Sequence, residues 1–170
     1  MPIGSHSQPN NGLTNNWITP PEIIEALGPF DLDPCVCTPQ PWKTAETMWS
    51  EGGLDRDWFG HVWLNPPYGQ QTASWMARLA SHGDGIALIF ARTETAMFFD
   101  SVWGRAHSLL FLKGRLHFHY PDGTRAKGNS GAPSVLIAYG EIAGERLADS
   151  GLAGSLVSGG AILGASCPIA

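Results

Sequence analysis

Residues 61–69 read His-Val-Trp-Leu-Asn-Pro-Pro-Tyr-Gly, a short apolar run that passes directly into a polar side chain and two prolines. The apolar run predicts a buried strand, and the prolines end it because they donate no backbone hydrogen bond and fix φ. Residues that precede proline favour extended backbone, so we expect Asn65 at the carboxyl end of this strand. In open α/β sheets, that edge is where ligands bind.

A loop of this composition suits a flat ring that carries an amine. We expect Asn65 Oδ1 and the Pro66 carbonyl to converge as two hydrogen-bond acceptors, while Tyr68 offers a ring for stacking and Pro67 shapes the loop. Two acceptors bond both hydrogens of an –NH2 group and stabilise the positive charge that develops as its nitrogen attacks an electrophile. The loop therefore predicts amine activation without a strong base.

Asn-Pro-Pro-Tyr after a hydrophobic strand resembles the catalytic motif of amino-directed, S-adenosylmethionine-dependent methyltransferases. Further motifs surround it in a fixed order: Trp17-Ile18-Thr19-Pro20, Leu32-Asp33-Pro34-Cys35, Gly53-Leu54 with Asp57-Trp58, Ala91-Arg92-Thr93 and Gly114-Arg115-Leu116. Together they resemble the phage-type, Dam-like family of DNA N6-adenine methyltransferases over roughly residues 15–140.

The resemblance implies an α/β fold, an abbreviated Rossmann-like methyltransferase domain with a mainly parallel sheet and antiparallel final strands. It implies site-specific transfer of a methyl group from S-adenosylmethionine to the N6 amine of an adenine flipped out of double-stranded DNA. The implied catalytic residues are Asn65, Pro66, Pro67 and Tyr68. A phage or prophage setting, with protection of DNA from restriction, is what the family suggests.

The resemblance also implies a site for the cofactor S-adenosylmethionine. The residues expected to contact it are Trp17, Thr19, Pro20, Asp33, Pro34, Cys35 and Asp57. The sequence departs from the family at 35–39, where Cys-Val-Cys-Thr-Pro replaces the usual glycine-rich turn. Glycine permits close backbone approach to a cofactor, so this departure leaves open how the donor is held. A packing role explains Trp17 equally well.

Charge is distributed unevenly along the chain. The net charge is −5, yet residues 105–127 carry five basic side chains and only one acidic side chain, Asp122. Such a strip can meet phosphates locally, although a charged strand edge explains it equally well. Arg92 can grip a phosphate or a donor carboxylate, or pair with Glu94. The residues expected to bind DNA are Arg92, Lys113, Arg115, Arg125 and Lys127.

Length and composition predict one methyltransferase domain at 17–140, preceded by a flexible arm at 1–16 and followed by an Ala- and Gly-rich tail at 141–170. No apolar run approaches the roughly 20 residues that a membrane span needs, and no signal-peptide pattern is present. Cys35, Cys37 and Cys167 form a poor disulfide framework and lack the spacing of a metal site. We expect a cytoplasmic protein with no metal, no membrane association and no obligate protein partner.

Periodicity predicts helices over 19–28, 71–82 and 96–103, and strands over 30–34, 85–91, 107–112, 115–120 and 134–139. A loop over 121–133 is interpreted as a flap against DNA or as a plain hairpin connection. Two rival functions remain open. The same loop suits a protein glutamine amide or the N4 amine of cytosine, and the missing glycine turn is compatible with a catalytically inactive DNA-binding module.

Overall fold

The computed structural model describes residues 17–158, so the predicted arm at 1–16 and the segment 159–170 lie outside the described residues. Within this range the helices and strands follow one another in the order α1 (Pro21–Leu27), β1 (Leu32–Asp33), β2 (Thr47–Met48), β3 (Val62–Leu64), α2 (Thr72–His82), β4 (Gly85–Phe90), α3 (Ala96–Ser101), β5 (Ser108–Leu112), β6 (Ser134–Tyr139), α4 (Glu141–Asp149) and β7 (Gly154–Ser158).

The strands of this range form one sheet in the order β2-β1-β3-β4-β6-β5-β7. The first four are parallel neighbours, whereas β6 is antiparallel to both β4 and β5, and β7 is antiparallel to β5. The chain leaves β1 for β2 on one side and then pairs β3 on the other side. This reversal opens a crevice at the carboxyl ends of β1 and β3, where α/β proteins bind ligands.

The sheet is therefore mixed rather than mainly parallel, and the predicted antiparallel final strands are confirmed. The centre of the sheet is buried on both faces, which explains the nearly unbroken apolar runs of β4 and β6. Along β4, Ile86 and Leu88 pack on the side of α1 and α4, whereas Ala87 and Ile89 pack on the side of α2 and α3. This alternation follows the two-residue period of a strand.

Residues 141–158, predicted as part of an appended tail, belong to the same sheet domain. Ala143 and Leu147 of α4 are buried in the core, and β7 pairs with the full length of β5. A Cβ at Gly144 would lie only 2.0 Å from His107 Nδ1, so glycine lets α4 approach β5 closely. Small residues in this segment thus allow close helix packing. Their abundance is also why the composition suggested an appended tail.

The strand predicted over 115–120 is wrong. Residues 113–130, called the basic loop below, are irregular and contain only two isolated bridges, which join His119 to Ile18 and to Arg125. Leu116 and Phe118 still pack into the core, so the alternating pattern reflected burial without a sheet ladder. Among the helices of residues 17–158, none is long and apolar enough to cross a bilayer.

Candidate active site

A cavity of about 510 Å³ opens at the crevice between β1 and β3. Its walls are the segments that follow three neighbouring parallel strands, residues 34–38 after β1, 50–53 after β2 and 65–68 after β3, together with Trp17 and the start of α2. This volume lies within the range of about 300–1,000 Å³ that is typical of small-molecule sites. The Asn65-Pro66-Pro67-Tyr68 stretch thus lies in the wall of this cavity.

The side chain of Asn65 is held in one orientation. Its Nδ2 donates a hydrogen bond to the Trp17 carbonyl over 2.9 Å. Because a carbonyl oxygen only accepts, the –NH2 edge must face Trp17, and Oδ1 must face away from it. Oδ1 is buried and has no hydrogen-bond partner among residues 17–158. A buried acceptor left in this state costs about 1–3 kcal/mol, which a ligand that donates an N–H would recover.

The loop around Asn65 is anchored at both ends. The Cys35 thiol donates to the Asn65 carbonyl over 3.4 Å, which ties the loop to the segment after β1. Thr72 Oγ1, at the start of α2, donates to the Pro67 carbonyl over 2.8 Å and accepts from Gly69 N over 3.1 Å. The Pro66 carbonyl has no such donor within the described range. It therefore remains available as a second acceptor.

Tyr68 presents one ring face at most to the cavity. Its other face stacks on Phe90, with ring centroids 4.3 Å apart and planes 14° from parallel. Phe118 of the basic loop lies edge-on at 6.4 Å. Burial raises the pKa of the Tyr68 phenol well above its usual range, so the ring stays neutral at physiological pH. Tyr68 therefore suits stacking and not proton transfer.

Asp33 is buried behind the cavity and makes its hydrogen bonds within the protein. It accepts from Thr44 Oγ1 over 2.5 Å and from Cys35 N over 3.1 Å. Burial raises the pKa of its carboxyl to about 6, against the lowering effect of these two hydrogen bonds. A smaller hollow of about 20 Å³ separates Asp33 from Thr19 and Asn65. Asp33 thus braces the end of β1 beside Asn65.

The other residues expected to contact a cofactor fall into two groups. Trp17, Pro34 and Cys35 line the main cavity. Pro20 is buried at the start of α1 and lines neither hollow, and Asp57 lies on the surface with its carboxylate 3.8 Å from Arg78 Nη2. The structure therefore brings the first three together and leaves Pro20 and Asp57 outside.

The basic loop contacts Trp17, a residue of the cavity wall. Its Phe118 and Tyr120 rings contact Trp17, with centroids 6.4 and 5.7 Å apart. Arg115 is exposed and bonds the Ser130 carbonyl over 3.3 Å. The remaining side chains expected to bind DNA are also exposed: Arg92, Lys113, Arg125 and Lys127.

A model of the family described as DNA N-6-adenine-methyltransferase (Dam) matches residues 6–153. The chain belongs to this family. No curated protein and no solved structure matches it. The matched range contains every wall of the cavity and the whole basic loop, and it ends just before β7.

Sequence reasoning missed several residues of this methyltransferase-family cavity: Glu51, Gln71 and Trp75. Glu51 was foreseeable, because nucleotide sites of doubly wound sheets commonly use an acidic residue about 20 positions beyond the first strand. Trp75 lies on the apolar face of α2, at the spacing typical of core residues. Its ring is indeed buried, yet its indole N–H has no partner among the described residues.

Gly53 makes a close approach to the segment where the family's glycine-rich turn is missing. A Cβ at this position would lie 1.9 Å from the Pro34 carbonyl oxygen and 2.9 Å from the Trp75 ring. The close backbone approach beside Asp33-Pro34 is therefore made by a glycine of a different segment. Trp58 fixes that glycine in place, since its indole N–H donates to the Gly53 carbonyl over 2.7 Å.

The cavity is nearly free of charge. Glu51 is the one carboxylate of its described lining, which has no basic side chain, and burial raises the pKa of the thiols of Cys35 and Cys37. A single carboxylate in a neutral wall favours a cationic ligand over an anionic one. Within residues 17–158, no cluster of three or more His, Cys, Asp or Glu side chains is arranged to hold a metal ion.

Proposed function

We propose that this chain transfers a methyl group from S-adenosylmethionine to the N6 amine of an adenine that is flipped out of double-stranded DNA. Membership of the DNA N-6-adenine-methyltransferase family supports the reaction and the substrate class. The observation that carries the mechanism is Asn65 Oδ1, a buried acceptor without a partner in the described range, held in one orientation beside a cavity.

The cavity suits this cofactor in size and in charge. S-adenosylmethionine supplies an electrophilic methyl group on a positively charged sulfur. Glu51 follows β2, next to β1, where a carboxylate accepts hydrogen bonds from ribose hydroxyls in comparable sheets. The described lining has one carboxylate, that of Glu51, and no basic side chain. These features favour a cationic nucleoside.

Asn65 and Pro66 act on the amine of the substrate. Asn65 Oδ1 and the Pro66 carbonyl accept its two N–H groups, which holds the nitrogen in line for attack and favours the charge that develops on it. An amide side chain is no base, so the proton leaves the methylated amine afterwards, towards solvent. The free face of Tyr68 stacks on the flipped ring, because Phe90 covers the opposite face.

DNA reaches the site through the basic loop. A base inside a duplex cannot enter the cavity, so the adenine must leave the stack at a cost of a few kcal/mol. Contacts between phosphates and the exposed side chains of Lys113, Arg115, Arg125 and Lys127 offset that cost. The whole chain carries a net charge of −5, so attraction to DNA comes from these local contacts. Because the contacts are between exposed charges, the affinity for DNA falls steeply as the salt concentration rises.

The test is transfer of a labelled methyl group to plasmid DNA, followed by nucleoside analysis. We expect N6-methyladenine from the natural chain and its loss, by about a hundredfold or more, in Asn65→Ala, as for removal of a donor or acceptor that acts in the transition state. Asn65→Asp is the matched control for size: it keeps an acceptor but loses the bond to Trp17, so its rate should lie between the two. Equal thermal unfolding midpoints show that each variant is folded.

Four results would contradict the proposal. N4-methylcytosine in the DNA, or a methylated glutamine in added protein, would assign the same loop to a different amine. Absence of S-adenosylmethionine binding in calorimetry would indicate a catalytically inactive DNA-binding module. Near-normal transfer by Asn65→Ala would remove the mechanism while leaving the family membership intact.

A further inference from the structure

We propose that Trp42 is a positioning residue for the catalytic amide of Asn65 and that it acts through the backbone of residues 17–19. This inference rests on the proposed function, because it concerns the alignment of the group that accepts the substrate amine. Trp42 itself lines neither the main cavity nor the small hollow beside it. Its effect on Asn65 must therefore be transmitted by other residues.

The first step is the bond between Asn65 and the backbone. Asn65 Nδ2 donates to the carbonyl of Trp17, not to a side chain. A backbone carbonyl turns only when its chain segment moves. The direction of Asn65 Oδ1 therefore depends on where residues 17–19 lie, and not on the chemistry of the Trp17 ring.

The second step is what holds residues 17–19 in place. Ile18 and His119 exchange two backbone hydrogen bonds, of 3.0 and 2.9 Å. The carbonyl of the next residue, Thr19, accepts from the indole Nε1 of Trp42 over 3.1 Å. Besides Asn65, Trp42 thus supplies a second side-chain hydrogen bond to this stretch, immediately beyond the bridge to the basic loop.

The third step links Trp42 to the basic loop. Its ring packs edge-on against His119, with centroids 5.0 Å apart and planes at 88°. A Cβ at Gly123 would lie 3.3 Å from Pro41 and 3.9 Å from Trp42, so the turn of the loop rests on this pair. Trp42 therefore contacts both the segment that orients Asn65 and the loop assigned to DNA.

Loss of the indole N–H should affect the rate of transfer more than the binding of either substrate. The Thr19 carbonyl would lose its partner, residues 17–19 would gain freedom, and Asn65 Oδ1 would spend less time aligned with the amine. Misalignment on the scale of an ångström costs up to about a hundredfold in rate, so we expect kcat to fall by about tenfold for this partial loosening. Of the described lining of the main cavity, only Trp17 belongs to the loosened segment, and the exposed cations do not change, so KM should stay within about twofold.

The experiment compares Trp42→Phe with Trp103→Phe in the full chain. Trp103 is a matched control, because its Nε1 also donates to a backbone carbonyl, that of Thr93, over 3.1 Å. It is likewise half-buried, but it packs on Phe98 of α3 and lines no part of the cavity. Loss of one indole hydrogen bond should lower the stability of both variants similarly. A merely structural role for Trp42 would therefore give both variants the same kcat.

Two readouts are needed, and one of them does not depend on activity. We expect kcat to fall in Trp42→Phe and to stay unchanged in Trp103→Phe. We also expect the side-chain amide protons of Asn65, followed by NMR, to exchange faster with solvent only in Trp42→Phe. If Trp42→Phe does not fold, Trp42→Tyr removes the same N–H while filling more of the space.

Equal kcat values in the two variants, or unchanged exchange at the Asn65 amide, would overturn the inference. Failure of the natural chain to methylate DNA would instead refute the proposed function. In that case the exchange measurement still decides whether Trp42 positions the amide.

Discussion

Replacing Asp33 with asparagine should make the free energy of unfolding less dependent on pH. Asp33 is buried at the end of β1, and burial raises the pKa of its carboxyl from 3.8 to about 6. Asparagine has the same shape and can keep both contacts, because its Oδ1 accepts from Cys35 N and its Nδ2 donates to Thr44 Oγ1. The substitution therefore removes the charge and leaves the packing.

The sign follows from proton binding. A raised pKa means that the folded state holds the proton more tightly than the unfolded state does. The stabilisation from this proton is complete below the unfolded pKa of 3.8 and is lost as the pH rises through about 6. A shift of roughly two units corresponds to about 3 kcal/mol in total, of which about 2 kcal/mol falls between pH 4.5 and 7.5.

The assay is denaturant unfolding of the natural chain and of Asp33→Asn at several pH values between 4.5 and 7.5. We expect the difference in unfolding free energy to change by about 2 kcal/mol in favour of Asp33→Asn as the pH rises. Asp149→Asn, at an exposed position on α4, controls for the loss of one negative charge. A difference that stays constant over this range would show that the Asp33 carboxyl titrates normally and would refute the reasoning.

Two further predictions concern the cavity wall and the basic loop. Gly53→Ala should lower the unfolding free energy by about 1–3 kcal/mol through overpacking against Pro34 and should weaken S-adenosylmethionine binding measured by calorimetry. Gly131→Ala, whose Cβ would meet no atom within 4 Å, is the control, and equal effects of the two would exclude the close approach. Lys127→Ala should weaken DNA binding and reduce the slope of log K against log salt by about one unit. Lys43→Ala, whose side chain pairs with Glu46 before β2, should leave that slope unchanged, and a slope that Lys127→Ala does not alter would contradict the phosphate contact.

The sequence pattern of a short segment predicted those helices and strands whose buried face shows in their own apolar residues. The apolar face of α2 and the continuous apolar run of β6 were confirmed to within a residue. The strand before Asn65 was likewise confirmed, and it lies inside the sheet. Its end was predictable because a pair of prolines ends a strand whatever its neighbours are. The approximate place of the cavity followed, since the carboxyl ends of parallel strands meet at one edge.

Features that depend on distant partners escaped prediction. Alternation over 115–120 suggested a strand, but Leu116 and Phe118 are covered by the core while the backbone bonds Ile18 and Thr124 instead of a neighbouring strand. The Gly- and Ala-rich segment that forms α4 and β7 has little hydrophobic pattern of its own. Its stability comes from fitting closely against β5, which composition alone does not reveal.

Asp33 and Asn65 show why a polar residue at a strand end is an incomplete signal for a site. Both residues lie at the carboxyl ends of neighbouring strands, Asp33 at the end of β1 and Asn65 directly after β3. Asp33 is buried and Asn65 is partly buried. Two internal donors, from Thr44 and Cys35, bond the carboxylate of Asp33. The only described partner of the Asn65 side chain is an acceptor, the Trp17 carbonyl, which takes its N–H and leaves its oxygen unbonded. Thr44 and Trp17 lie 11 and 48 positions away along the chain, so the roles of the two residues are decided by tertiary neighbours. An amide oxygen is left to accept a hydrogen bond from a ligand where a distant segment accepts the amide N–H and no residue of the described fold donates to the oxygen.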